Sequence, residues 1–340
     1  MSNTDKRSVV ITGASAGVGR ATAQEFAKLG SNVALIARGE GGLQAAAKDV
    51  EAAGGKALAL PLDVADAEKV MGAADRIAAE WGKIDVWINC AMVTIFAPVS
   101  RISPAEFRRV TEVTYLGQVH GTMAALKHMR SRGKGTIVQV GSALSYRAIP
   151  LQSAYCGAKF AIRGFTDALR SELEHDRSRI RLTMVQLPAV NTPQFDWARS
   201  RLPYRAQPVP PIFEPEAIAR EIVRASVEAP RELWIGRSAL KAILGTMLLP
   251  GVGDRILARE GYSGQMTSEP EPIGRPDNLF EPVGGDHGAR GRFSDRAEPT
   301  VFGISSAWLR AGLACLVASM VIGELARGQG ASAIGRHKLP

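Results

Sequence analysis

Val9-Val10-Ile11-Thr12-Gly13-Ala14-Ser15-Ala16-Gly17-Val18-Gly19 is the stretch on which the fold turns. Its opening β-branched residues read as a strand. The glycines follow at once, and a helical pattern runs from Arg20 to Leu29, closed by Gly30. Strand, glycine turn and helix in this order is the context a dinucleotide-binding loop requires. Glycines let the backbone approach a pyrophosphate, and the helix start supplies N–H donors and positive dipole. The spacing is Gly-x-x-x-Gly-x-Gly, not the commoner Gly-x-Gly-x-x-Gly. Ser15, Ala16 and Val18 lie between Gly13, Gly17 and Gly19, so all six are expected at the cofactor.

Outward from this loop, apolar runs alternate with helical patterns. Strands are expected at Val9–Thr12, Asn32–Ile36, Ala57–Leu62, Ile84–Asn89, Gly135–Gly141, Arg181–Gln186 and Leu233–Gly236. Such alternation implies a parallel sheet covered on both faces, with right-handed crossovers. The expected class is therefore α/β: a doubly wound Rossmann fold with a seven-stranded parallel sheet, plus a C-terminal extension. Ligands of such sheets bind beyond the carboxyl ends of the strands. Gly13, Asp63, Asn89, Ser142 and Pro188 all fall at those ends, so separate motifs converge on one rim.

One of them carries chemistry. In Ser153-Ala154-Tyr155-Cys156-Gly157-Ala158-Lys159, the tyrosine and lysine are four apart, on one face of a helix. An ammonium beside a phenol favours the phenolate, and is expected to lower the tyrosine pKa from its ordinary value of about 10. A phenol tuned in this way passes a proton to or from a carbonyl oxygen. Ser142 ends the apolar run Thr136 to Gly141, where its hydroxyl can hold a substrate oxygen near the phenol. Arg38 ends the second strand, where an NAD-preferring site carries an acidic residue. An arginine there pairs with a ribose 2′-phosphate, so NADP(H) is expected over NAD(H), with Glu40 as a nearby opposing charge.

With these residues in place, the chain resembles the short-chain dehydrogenase/reductase family from Ser8 to Arg237. The family's glycine motif matches Thr12, Gly13, Gly17 and Gly19. Its Asp-Val pair after the third strand matches Asp63-Val64, where the carboxylate usually meets the adenine. Its serine, tyrosine and lysine match Ser142, Tyr155 and Lys159. Its Pro-Gly loop matches Pro188-Ala189-Val190-Asn191-Thr192, with alanine for the glycine. The resemblance implies cofactor contacts at Asn89, Ala91, Pro188, Val190, Thr192 and Tyr155, with Lys159 on the nicotinamide ribose. It implies hydride transfer between nicotinamide and a carbonyl or alcohol, with Tyr155 as general acid/base. It also implies a homo-oligomer, a dimer or tetramer, formed through the helix of Tyr155 and those before the fifth strand.

The chain departs from the family at two points. Asn89-Cys90-Ala91-Met92 stands where the family has Asn-Asn-Ala-Gly. In Val113-Thr114-Tyr115-Leu116-Gly117, Thr114 stands for a catalytic asparagine that holds a water linking the lysine to solvent. A threonine hydroxyl can hold a water too, so Thr114 is counted with the catalytic residues. These departures leave open an alternative, a non-catalytic dinucleotide-binding regulator, against which the intact Ser142, Tyr155 and Lys159 argue. An epimerase or dehydratase of the same fold ranks last, because such enzymes resemble a class with different glycine spacing.

Elsewhere the reading is coarser. Phe195, Trp197, Tyr204 and Phe213 either line an apolar substrate pocket or pack as a lid, with Tyr146 at its border. The expected divisions are a catalytic domain at 1–240, an amphipathic helical segment at 241–262, a Pro/Gly-rich linker at 263–300, and an apolar helix with a basic tail at 301–340. The run Ala311 to Gly323 holds thirteen uncharged residues, short of the ~20 that a spanning helix needs. It is expected either to pack on the fold or a partner subunit, or to give peripheral membrane contact. The net charge of +9 comes without a basic cluster interleaved with aromatics, which argues against nucleic acid. Three widely spaced cysteines show neither metal-ligand spacing nor a disulfide framework. With the polar stretch Met1 to Ser8, they imply no metal and a cytoplasmic protein.

Overall fold

β1 (Ser8–Thr12) is buried along its whole length. Val9 and Ile11 enter one apolar cluster and Val10 the other, the alternation a strand imposes. A strand apolar on both sides belongs at the centre of a covered parallel sheet. The others are β2 (Asn32–Ala37), β3 (Lys56–Pro61), β4 (Val86–Asn89), β5 (Gly135–Val140), β6 (Ile180–Gln186) and β7 (Glu232–Ile235). They pair in parallel in the order β7-β6-β5-β4-β1-β2-β3. The chain winds outward from β1 to β3, then restarts at β4 and winds the other way. The crevice between β1 and β4 is thus the switch point where such sheets bind ligands. The computed structural model describes residues 6–307 and 311–312.

The helices are α1 (Gly17–Lys28), α2 (Glu40–Ala52), α3 (Ala67–Trp81), α4 (Pro104–Thr111), α5 (Gly117–Arg132), α6 (Ser153–His175) and α7 (Pro215–Glu228). Phe26 of α1, Leu43 of α2 and Ile218 of α7 cover the Val9 face of the sheet. Ile77 of α3, Met129 of α5 and Leu169 of α6 cover the Val10 face. A wide π-helical turn, Glu112–Leu116, joins α4 to α5 and carries Thr114. Such turns recur at functional sites.

The extension corrects the sequence reading in two places. An eighth strand, β8 (Gly303–Ser305), pairs antiparallel with β7 and closes that edge of the sheet. At three residues it is too short to show a period of two. The stretch 263–300, expected as a linker, packs on the catalytic fold. Met266–Pro270 pairs with Tyr204–Ala206, and Ala297–Glu298 with Ile212–Phe213. Leu279 and Phe293 are buried. Among its charges, Asp277 pairs with Arg199 at 2.8 Å and Arg292 with Asp196 at 2.8 Å. Between the two parts, α8 (Gly236–Leu248) and α9 (Pro250–Glu260) form a helical pair. Most of Ala311 to Gly323, and the basic tail, lie outside the described residues. Among the described residues no helix is long and apolar enough to cross a membrane.

Candidate active site

Gly13 has φ +70°, and a Cβ there would lie 2.7 Å from Ala91 Cα. Only glycine permits this approach of the β1 loop to the β4 loop. Thr12 fixes it from the side, its Oγ1 accepting the N–H groups of Cys90 at 3.0 Å and Ala91 at 3.1 Å. A Cβ on Gly19 would meet the Gly13 carbonyl oxygen at 2.2 Å, so the turn also folds tightly on itself. No side chain caps the start of α1. The Gly17 N–H is taken by the Gly288 carbonyl at 3.2 Å, but the N–H groups that follow it in the first turn suit an anionic pyrophosphate, and the residues fit a dinucleotide cofactor.

One cavity of about 540 Å³ runs along this rim. Gly13, Ser15, Ala16, Gly17, Val18, Gly19, Arg38, Val64 and Ala91 line it together with Ser142, Tyr155, Lys159, Pro188, Val190 and Thr192. Met92 lines it as well, its bulk accommodated at the wall. Asp63, Asn89 and Thr114 do not line it. Asp63 accepts from the Ala65 N–H at 3.0 Å and pairs with Arg109. Asn89 turns into the core, donating to Thr122 and Gln139 at 3.0 Å each and accepting from Trp87 at 2.8 Å. The Thr114 hydroxyl donates to the Val93 carbonyl at 2.8 Å and accepts the Val93 N–H at 3.1 Å. It anchors a loop, and its one proton is not available to a relay water.

Ser142 follows β5 and is buried, its Oγ accepting the Leu144 N–H at 3.1 Å. Tyr155 and Lys159 lie in the first two turns of α6. Lys159 Nζ donates to the Val140 carbonyl at 2.7 Å and stands 5.5 Å from the centre of the Tyr155 ring. Burial lowers the Lys159 pKa to about 8, with the Cys90 thiol acting the other way. The Tyr155 phenol is not lowered, contrary to the sequence reading. Burial pushes it above its ordinary value, a hydrogen bond with Ser142 opposes this, and the Cys156 and Cys90 thiols raise it again. Removal from water is thus the largest influence on the phenol.

Two supporting residues went unseen in the sequence. Gln186 Oε1 accepts the Ser142 N–H at 2.9 Å, and its Nε2 donates to Glu232 at 3.2 Å. Glu232 also accepts from Trp234 Nε1 at 3.0 Å and, at 2.7 and 2.8 Å, from the Tyr146 hydroxyl. Tyr146 therefore faces this network and not the cavity. A carboxylate in the apolar run Glu232-Leu233-Trp234-Ile235 was the available signal. Of the four aromatics proposed for the pocket, Phe195 and Trp197 line the cavity. Tyr204 is in a surface strand and 44% exposed, while Phe213 packs in the core.

This rim and its trio define a nucleotide-dependent oxidoreductase of the α/β class. The model for short chain dehydrogenases matches residues 7–201, and the chain belongs to the short-chain dehydrogenase/reductase family. It is 31% identical over 285 residues to the oxidoreductase YxnA of Bacillus subtilis, covering 82% of this chain and 79% of that one. It is 31% identical over 228 residues to a 3-dehydrosphinganine reductase of Danio rerio, covering 65% and 68%. The crystal structure of a metagenomic short-chain oxidoreductase in complex with NADP aligns with a TM-score of 0.55 at 25% identity, covering 65% of this chain and 90% of that one.

Proposed function

We propose that this oxidoreductase uses NADP(H) to interconvert an apolar ketone and its alcohol, with Tyr155 as the proton donor and acceptor. The observation that carries the reading is one cavity lined by the glycine loop together with Ser142, Tyr155 and Lys159. When bound, the cofactor supplies or accepts the hydride. The Ser142 hydroxyl holds the substrate oxygen beside the phenol, which stays protonated at neutral pH and is ready to donate in the direction of reduction. Lys159, with a pKa of about 8, is largely cationic at neutral pH and stabilises the phenolate left behind. Gln186 and Glu232 hold the Ser142 backbone from behind.

Apolar bulk in the substrate follows from the wall beyond the trio. Leu144, Ile149, Phe195 and Trp197 line the cavity there together with Ala239 and Ala242 of α8 and Ile256 and Leu257 of α9. Assembly as a dimer or tetramer would use α4 to α6, a reading supported by the exposed Phe107, Met123 and Phe160 on them.

The test is NADPH oxidation across ketones and aldehydes of rising apolar bulk, with Tyr155→Phe alongside. Turnover in the variant should fall by about 10²–10⁴-fold, while NADPH fluorescence still reports binding. A variant that turns over like the wild type would remove the phenol from the mechanism.

A further inference from the structure

Residues 277–288 lie beyond the span matched by the family model, yet they reach the cofactor rim. At one end they are tied to the segment after Thr192: the Asn278 N–H donates to the Trp197 carbonyl at 3.0 Å, and Asp277 pairs with Arg199 at 2.8 Å. In the middle, the carbonyls of Asn278 and Phe280 accept from the Arg38 guanidinium. The Leu279 carbonyl accepts from Arg109 at 3.0 Å, and the Leu279 side chain is fully buried. At the far end Asp286 pairs with Arg20 of α1, and the Gly288 carbonyl accepts the Gly17 N–H at 3.2 Å. The His287 ring meets the Trp197 ring edge-on, 4.5 Å between centres.

Asn278, Pro282, Val283, Gly285 and His287 line the same cavity as Ser15 and Arg38. We propose that residues 277–288 form a strap that walls the adenosine half of the dinucleotide site, so that the cofactor enters and leaves only when the strap lifts. This rests on the cofactor reading above. Arg38 is the joint: each of its terminal nitrogens carries two hydrogens. One on each goes to a strap carbonyl, and one on each is left for a 2′-phosphate oxygen. The strap is seated by hydrogen bonds to its backbone, by the Asp277–Arg199 pair and the buried Leu279 toward its substrate end, and by the Asp286–Arg20 pair, whose aspartate is half-exposed, at its glycine-loop end. Such a segment opens locally without unfolding the sheet beneath it. Because the same segment bonds to Trp197 and Arg199, lifting it also loosens the substrate side.

The experiment uses the full chain. NADPH is bound, then chased with excess NADP, and its release is followed by fluorescence in the wild type and in Asp286→Ala. Asp286 is half-exposed, and the buried Arg20 keeps its second partner, Asp49, at 2.7 Å when Asp286 is lost. Release should be about fivefold faster in the variant. Hydrogen exchange over 277–288 in the wild type should slow when NADPH is added. Equal release rates, unchanged exchange, or tighter NADPH binding by Asp286→Ala would each overturn the proposal; the last would mean that the strap competes for the adenosine site. A wild type that binds neither NADPH nor NADH would instead overturn the cofactor reading, and the strap with it.

Discussion

Arg38 shows how much one side chain is asked to do at this rim. Burial lowers its pKa, the Asp63 carboxylate opposes this, and Arg109 lowers it further. It keeps its charge all the same, since arginine titrates far above neutral pH. An aspartate in its place would repel a 2′-phosphate and accept from ribose hydroxyls instead. Arg38→Asp should therefore cut the ratio of kcat/KM for NADPH over NADH about ten- to a hundredfold. An unchanged ratio would show that the phosphate is bound elsewhere. At this scale the sequence was legible where a motif's spacing carries its geometry. Gly13 and Gly19 are glycines because a Cβ would strike backbone, and Tyr155 and Lys159 share a face because they are one turn apart. It was not legible where the question is which way a side chain turns. Asn89 and Thr114 occupy motif positions, but the amide joins a buried network and the hydroxyl is spent on Val93. Nor does spacing report how far water is excluded from a phenol.

The segment after Thr192 is held by an element that began as a helix cap. Ser103 and Glu106 form a capping box at the start of α4. The Glu106 carboxylate then reaches Arg199 at 3.0 Å and Arg201, its shorter contact, at 2.6 Å. Burial pushes this carboxyl up, but Arg201, the Ser103 N–H and Arg199 together pull it down to about 2. A depressed carboxyl stabilises the fold fully above its ordinary value of 4.5, and that contribution is lost as pH falls through about 2. The tether should thus be intact from neutral pH to about 5 and weaken below that. Glu106→Gln should mimic the acid form at neutral pH, costing about 1–3 kcal/mol in thermal unfolding and speeding hydrogen exchange over 194–206. A variant with wild-type melting and exchange would mean the arginines are held by other groups. The parallel strands were readable because each is a β-branched or apolar run of strand length. Met266–Pro270 was not, because Met-Thr-Ser-Glu-Pro has no alternation and acquires its strand from Tyr204–Ala206.

Across the whole molecule, the two largest apolar clusters cover the two faces of one sheet, and the helices of the Val10 face also reach the surface. Phe107 on α4, Met123 on α5 and Phe160 on α6 are 38%, 55% and 42% exposed. Aromatic and methionine side chains are enriched in the buried centres of interfaces. Phe160→Asp should therefore shift the protein to a smaller species in light scattering, with NADPH binding kept. A wild type that is already monomeric would overturn the assembly, and an unshifted variant of an oligomeric wild type would move the interface elsewhere.

β8 has a consequence for synthesis. A ribosome makes β7 some seventy residues before the strand that covers it, since β8 begins at Gly303 and β7 ends at Ile235. During that interval the nascent sheet presents Leu233, Trp234 and Ile235 with an open edge, a template for pairing with another chain. The polypeptide is therefore prone to aggregate in the interval between these two strands, and translation stalled between them would leave it in that state.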